Sequence, residues 1–207
     1  MIAIIDYGAG NLASVKKAFD HIGAESVITS DRNAVLNAEG VILPGVGAIG
    51  SAMDALKSKG LDQVVGEVCA KGTPFMGICL GMQMLLDESE ESFGDGGNVK
   101  GLGIIPGVVR RFPSDLIEKG MKIPQIGWNQ LEKVKGSLLT EEDFVYFVHS
   151  YYCDPSNEED VAALTDYGIK YCSAIERGNI YACQFHPEKS GEAGLNILRK
   201  FVRRVGV

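Results

Sequence analysis

Short apolar runs alternating with stretches patterned for helices constrain this chain more than any other feature. MIAIID is near-continuously apolar and rich in β-branched residues, which predicts a strand buried on both faces. The turn YGAGN follows, and then Leu12, Val15, Phe19 and Ile22 recur at helical spacing, with Gly23 as the stop. SVITS and GVILPGVG predict the second and third strands. SAMDALKSKGLDQVVGEVCAKG predicts helix broken near Gly60, TPFMGI a fourth strand, and LGMQMLLDESEE a helix after it. This β-α-β rhythm specifies an α/β fold with an open, mostly parallel central sheet and helices on both faces.

The second half reads differently. VVRRF, EKVKG, FVYFVHSYYC, VAALTDYG, KYCSAIERGN and IYACQFHPE predict short strands separated by turns, hence an antiparallel or mixed extension of the sheet. SGEAGLNILRKFVRRVG returns to helix, with Leu195, Leu198, Val202 and Val205 on one face. The acidic, Gly-rich DESEESFGDGGNVKG is read as a mobile surface loop. No repeat and no boundary divides the chain, so residues 1–207 are expected to form a single domain.

Composition excludes several functions. The 207 residues carry 20 basic and 27 acidic side chains, a net charge of −7, which argues against a nucleic-acid surface. The five cysteines, Cys69, Cys79, Cys153, Cys172 and Cys183, are odd in number and contain no CxxC, so a reducing cytoplasm fits better than a disulfide framework. The opening MIAIIDYG shows no basic leader, and no secretory signal is expected. No apolar run approaches the roughly 18 residues that a membrane span needs.

Gly8-Ala9-Gly10-Asn11-Leu12-Ala13 matches G-x-G-x-x-A between a strand and a helix, and Asp31 stands near where a ribose-binding carboxylate would be sought. A dinucleotide enzyme is therefore a rival reading. Asp6 and Tyr7 intervene before the first glycine, however, and the chain leaves little for a substrate region. A Gly-rich βα turn is the preferred interpretation.

Gly77-Ile78-Cys79-Leu80-Gly81 has the G-x-nucleophile-x-G form of a nucleophile elbow. In such a turn the backbone folds back so closely that small flanking residues are required, and the side chain projects from the strand's carboxyl end. The helix that follows is expected to aim its N-terminus at the sulfur and favour thiolate. The Leu80 N–H is then placed to hold an oxyanion. The other four cysteines are read as small buried hydrophobes.

A base must accompany a nucleophile. His21 reads as surface and His149 lies in the aromatic run YFVHSYY. His186 lies in QFHPEKSG, two residues before Glu188, so that on an extended segment both face one side. Glu188 can then orient His186 while His186 serves the thiol. His149 and Cys153 are four apart with no second pair, so no metal site and no cofactor is expected. ILPGVG offers backbone N–H groups at another strand end for a second oxyanion donor, or is an ordinary βα turn.

PGVG, GICLGMQ and HPE, in this order and spacing, resemble the class I (triad) glutamine amidotransferases. DYGAGNLASV, PQIGWN, YFVHSYY and QFHPEKSG narrow the resemblance to glutaminase subunits of imidazole glycerol phosphate synthase, over essentially the whole chain. The resemblance implies a flavodoxin-like fold and release of ammonia from glutamine. It implies a heterodimer with a (β/α)8-barrel cyclase subunit. That subunit would use the ammonia on a phosphoribosyl-formimino aminoimidazole carboxamide ribonucleotide, yielding imidazole glycerol phosphate for histidine biosynthesis and an aminoimidazole carboxamide ribotide.

Carried over by motif, Cys79 is the nucleophile, His186 the general base and acid, Glu188 the orienter, and Gly47 and Leu80 the oxyanion donors. Gln83, Glu91, His149, Ser150 and Tyr151 line the glutamine pocket. Gln125, Trp128, Asn129 and Lys189 face the cyclase, the family having histidine as often as glutamine at position 125. Two competing readings stand beside this one: a glutaminase serving a different synthase, and a non-catalytic subunit that only regulates one.

Overall fold

The computed structural model describes residues 1–91, 97–141 and 143–206. The first half runs β1 (Ile2–Ile5), α1 (Leu12–His21), β2 (Ser26–Thr29), α2 (Arg32–Leu36), β3 (Gly40–Gly45), α3 (Ile49–Ser58), α4 (Leu61–Lys71) and β4 (Phe75–Cys79). Every residue of β1, β3 and β4 is buried, as a strand covered on both faces requires. The one-turn α5 (Leu80–Gln83) leads into β5 (Glu88–Ser89), β6 (Val99–Lys100), β7 (Gly107–Arg111), α6 (Asp115–Glu118), β8 (Gln125–Gln130), β9 (Phe144–His149) and β10 (Tyr151–Pro155). β11 (Val161–Asp166), β12 (Lys170–Arg177), β13 (Ile180–Cys183) and α7 (Gly191–Val205) complete the chain.

The main sheet has the order β2-β1-β3-β4-β13-β12-β10-β7-β5-β6, with β11 also paired to β12. From β2 to β13 the pairs are parallel; β13–β12, β12–β10 and β10–β7 are antiparallel, β7–β5 is parallel again and β5–β6 antiparallel. Helices cover both faces. Leu56 of α3 and Leu61, Val64 and Val68 of α4 pack into the core on one side, and Phe19 of α1 with Leu198 and Phe201 of α7 on the other. β8 and β9 form a separate antiparallel ribbon. The expected α/β architecture with a mixed extension is the one observed.

Four local expectations are corrected. The helix expected from Leu80 to Glu91 stops after one turn. The N–H groups of Leu102, Ile104 and Gly103 bond the carbonyls of Met84, Leu85 and Leu86, so the carbonyls a longer helix needs are already taken. Gly101 allows this approach, because a Cβ there would lie 2.1 Å from the Leu86 carbonyl oxygen. The expected loop 87–101 is flanked by β5 and β6, which pair with each other; residues 92–96 lie outside the described residues. EKVKG makes only a single bridge, Glu132 to Leu164. FVYFVHSYYC is two strands: the chain leaves β8 at His149 and joins β7 from Tyr151. α2 was not foreseen. Asp31 caps it, its carboxylate accepting from the Ala34 N–H at 2.7 Å, so the carboxylate sought for a ribose serves a helix instead.

Candidate active site

The carboxyl ends of β3, β4 and β13 converge, with Gly45 opposite Cys79 and Cys183 opposite Ile78. Cys79 ends β4 with φ 55° and ψ −110°; among the described non-glycine residues only Lys133 shares its positive φ. Such a conformation costs on the order of 1–3 kcal/mol and persists where the surroundings impose it. Here they do. A Cβ on Gly77 would lie 2.9 Å from the Gly81 carbonyl oxygen, and one on Gly81 only 1.8 Å from that of Leu43. The glycines thus let the turn close against β3. The one-turn α5 offers little macrodipole, so the support expected for thiolate from a following helix is largely absent. Leu80 opens α5, and its N–H has no intrahelical acceptor.

His186 follows β13 and caps the 3₁₀ turn Pro187–Lys189. Its Nδ1 lies 2.8 Å from Glu188 Oε1, with the two side chains 2% and 1% exposed. The turn brings the carboxylate round to the imidazole, where strand alternation had been expected to do so. Proline at the first turn position presets the backbone. The turn is clamped to β9: the His186 N–H donates to the Tyr146 carbonyl, the Tyr146 N–H to Ser190 Oγ, and Ser190 Oγ–H to the His186 carbonyl. Burial lowers the pKa of His186, but the Cys79 sulfur and the Glu188 carboxylate outweigh it and raise the value to about 9. Nε2 has no hydrogen-bond partner among the described residues and borders the cavity that holds Cys79. Burial pushes the Cys69, Cys153, Cys172 and Cys183 thiols up, which keeps them protonated and inert.

One cavity of about 350 Å³ is lined by Gly47, Cys79, Leu80, Gln83, Glu91, His149, Ser150, Tyr151 and His186, with Val46 and Val148. Chain segments distant in sequence are thus brought together in a volume of ligand-site size. Glu91 Oε2 accepts the Ile49 N–H at 2.8 Å, so the carboxylate is held at the start of α3. His149 is buried; Nδ1 lies 2.8 Å from the Tyr151 carbonyl and Nε2 3.3 Å from the Tyr171 hydroxyl. Desolvation lowers its pKa to about 4, so it is neutral near pH 7. A carbonyl only accepts, which places the proton on Nδ1. Gln184, which the sequence did not single out, is buried with Nε2 3.6 Å from Cys79 Sγ. No group of three or more His, Cys, Asp or Glu suited to a metal occurs among the described residues.

The residues expected to face a partner divide. Ile126, Trp128 and Phe144 share the outward face of the β8–β9 ribbon and are 63%, 53% and 53% exposed. Trp128 packs edge-on against Tyr146, and Lys189 Nζ lies 6.0 Å from the Tyr146 ring centre. PQIGWN is strand where a loop was expected. Gln125, on the opposite face, is buried and bonded to the Tyr171 hydroxyl, so its side chain is not presented to solvent. Asn129 donates to the Asp166 carbonyl.

The family described as Glutamine amidotransferase class-I matches residues 3–205. A protein of Methanothermobacter thermautotrophicus named imidazole glycerol phosphate synthase subunit HisH is 53% identical over 98% of this chain and 98% of its own length. Its namesake from Chlorobaculum tepidum is 50% identical over 97% and 98%. Among solved structures, one titled as a glutamine amidotransferase superposes with a TM-score of 0.77 at 20% identity, covering both chains fully. PurLQS from Thermotoga maritima gives 0.73 at 16%, covering 99% and 98%.

Proposed function

Because this chain belongs to the class-I glutamine amidotransferases and groups within them with the HisH subunits, we propose that it is the glutaminase subunit of an imidazole glycerol phosphate synthase. The Cys79 thiolate attacks the side-chain amide of glutamine, and the N–H groups of Leu80 and Gly47 hold the resulting oxyanion. His186, raised to about 9 and so carrying a proton at neutral pH, hands it to the departing nitrogen as ammonia leaves. A glutamyl thioester remains. His186, now neutral, takes a proton from water, which releases glutamate and regenerates the thiolate. Glu188 keeps Nε2 aimed at the reacting atoms by holding Nδ1–H. The observation that carries this reading is the strained Cys79 elbow opening into the same cavity as the buried His186–Glu188 pair.

The partner is a (β/α)8-barrel cyclase subunit that consumes the ammonia. Ammonia is a nucleophile only while unprotonated, so a dry route to a second site preserves it. The apolar outward face of the β8–β9 ribbon, with Lys189 beside it, is the docking surface; exposed aromatics of this kind anchor interfaces. Gly47, at φ +89°, sits in a segment whose peptide can turn cheaply, so partner binding can complete the oxyanion hole.

The test is glutamate release from glutamine by the chain alone and with the cyclase subunit plus its nucleotide ligand. Strong stimulation that Cys79→Ala abolishes is expected. Full activity in Cys79→Ala would sink the chemistry, and equal rates with and without the loaded partner would sink the gating.

A further inference from the structure

Gln184 is completely buried, and the reaction written above does not use it. Its Nε2 lies 3.6 Å from Cys79 Sγ, while its Oε1 accepts from Gln83 Nε2 at 3.0 Å. Gln83 Nε2 also donates to the Tyr151 backbone carbonyl at 3.1 Å. Oxygen and nitrogen of a side-chain amide are alike in shape, so their identities must come from the partners. Here a backbone carbonyl decides. It can only accept, so Gln83 turns its NH₂ toward Tyr151. That same NH₂ faces Gln184, which must answer with its oxygen. The opposite end of the Gln184 amide, its NH₂, therefore points at the sulfur. A thiol is a weak acceptor, whereas an anionic acceptor makes a charge-assisted bond.

We propose that Gln184 donates a hydrogen bond to the Cys79 thiolate, locked in its donating orientation by Gln83 and the Tyr151 carbonyl. The proposal rests on Cys79 being the nucleophile. It supplies the thiolate support that the one-turn α5 does not. It also narrows the role of Gln83, whose amide hydrogens are spent on Tyr151 and Gln184, leaving its carbonyl oxygen for a ligand.

The experiment is alkylation of Cys79 by iodoacetamide in the full chain across pH, followed by mass spectrometry of the Cys79 peptide. Gln184→Leu keeps the volume and removes the donor. Its alkylation midpoint should rise by about one pH unit, with alkylation roughly tenfold slower below both midpoints. A purely packing role would not move that midpoint, so an unchanged value in a folded Gln184→Leu overturns the proposal. Should that variant fail to fold, the wild-type chain carries the test through selective ¹⁵N-glutamine labelling. One side-chain amide should then shift with the alkylation midpoint and stay fixed in Cys79→Ala; if none does, the proposal falls. A wild-type Cys79 that resists alkylation at every pH removes the nucleophile itself, and the proposal with it.

Discussion

Gly81 shows how narrow the residue-scale requirements are. Its missing Cβ is replaced by the Leu43 carbonyl of the neighbouring strand, and that backbone atom cannot move without parting β3 from β4. Gly81→Ala is expected to cost more than about 3 kcal/mol in urea unfolding and to take glutaminase activity with it. The two buried histidines set opposite pH limits. His149 has a folded pKa of about 4, below its unfolded value near 6.5, because burial disfavours its charge. Its contribution is complete above about pH 6.5 and is lost as pH falls toward 4, amounting to about 3 kcal/mol at most. His149→Gln should flatten that acid slope; an unchanged slope assigns it to other groups. His186, raised to about 9, contributes fully below 6.5 and loses that contribution as pH rises through 9. In Cys79→Ala the alkaline loss should shrink, since the sulfur is one of its causes. Cys79 and HPE were legible in sequence because their neighbours are chemically unusual. Gln184 was not, because a glutamine two residues before a histidine carries no signal until the fold turns its amide toward a sulfur.

At the scale of elements, the apolar runs predicted strands well wherever a strand is buried on both faces. Prediction failed where the backbone finds its partner in a distant segment. The run after Cys79 has helical periodicity, yet residues 102–104 take the carbonyls that its second turn would use. β8 looked like a loop because PQIGWN mixes glycine, proline and an indole; pairing with β9 makes it a strand. That pairing puts Trp128 outside, where burial in the domain's own core would have been its commoner fate. Trp128→Ala should therefore leave the melting temperature of the isolated chain within a few degrees. It should weaken association with the cyclase subunit at least tenfold in a titration. Unfolding of the isolated variant would return the indole to a core role. The cap on α2 is independent of function: Asp31→Ala should cost about 1 kcal/mol with no change in glutaminase rate.

For the whole molecule, the mixed sheet serves placement. Its parallel half ends in the elbow, and its antiparallel half carries β10 into the cavity's far wall, which the separate β8–β9 ribbon completes through β9, and returns the chain as β13 beside β4. The ribbon that offers the apolar face is hydrogen-bonded to the turn holding His186, so a partner on one surface touches the site through few bonds. Association should raise the melting temperature in proportion to the logarithm of partner concentration. A concentration-independent melting temperature with the cyclase present would exclude stable binding.

The sequence by itself determined the doubly buried strands of the first half and the long helices between them, because side-chain periodicity is local and a strand buried twice has no polar positions to spare. It also determined the elbow, because only glycines at both ends let the chain fold back there. The meeting of Cys79 with residues more than a hundred positions later was decided by the tertiary structure alone. So were the length of α5, the inward turn of Gln125 and the outward face of Trp128. Each depends on hydrogen-bond acceptors and packing surfaces supplied by segments far away in the chain, and local pattern carries no record of them.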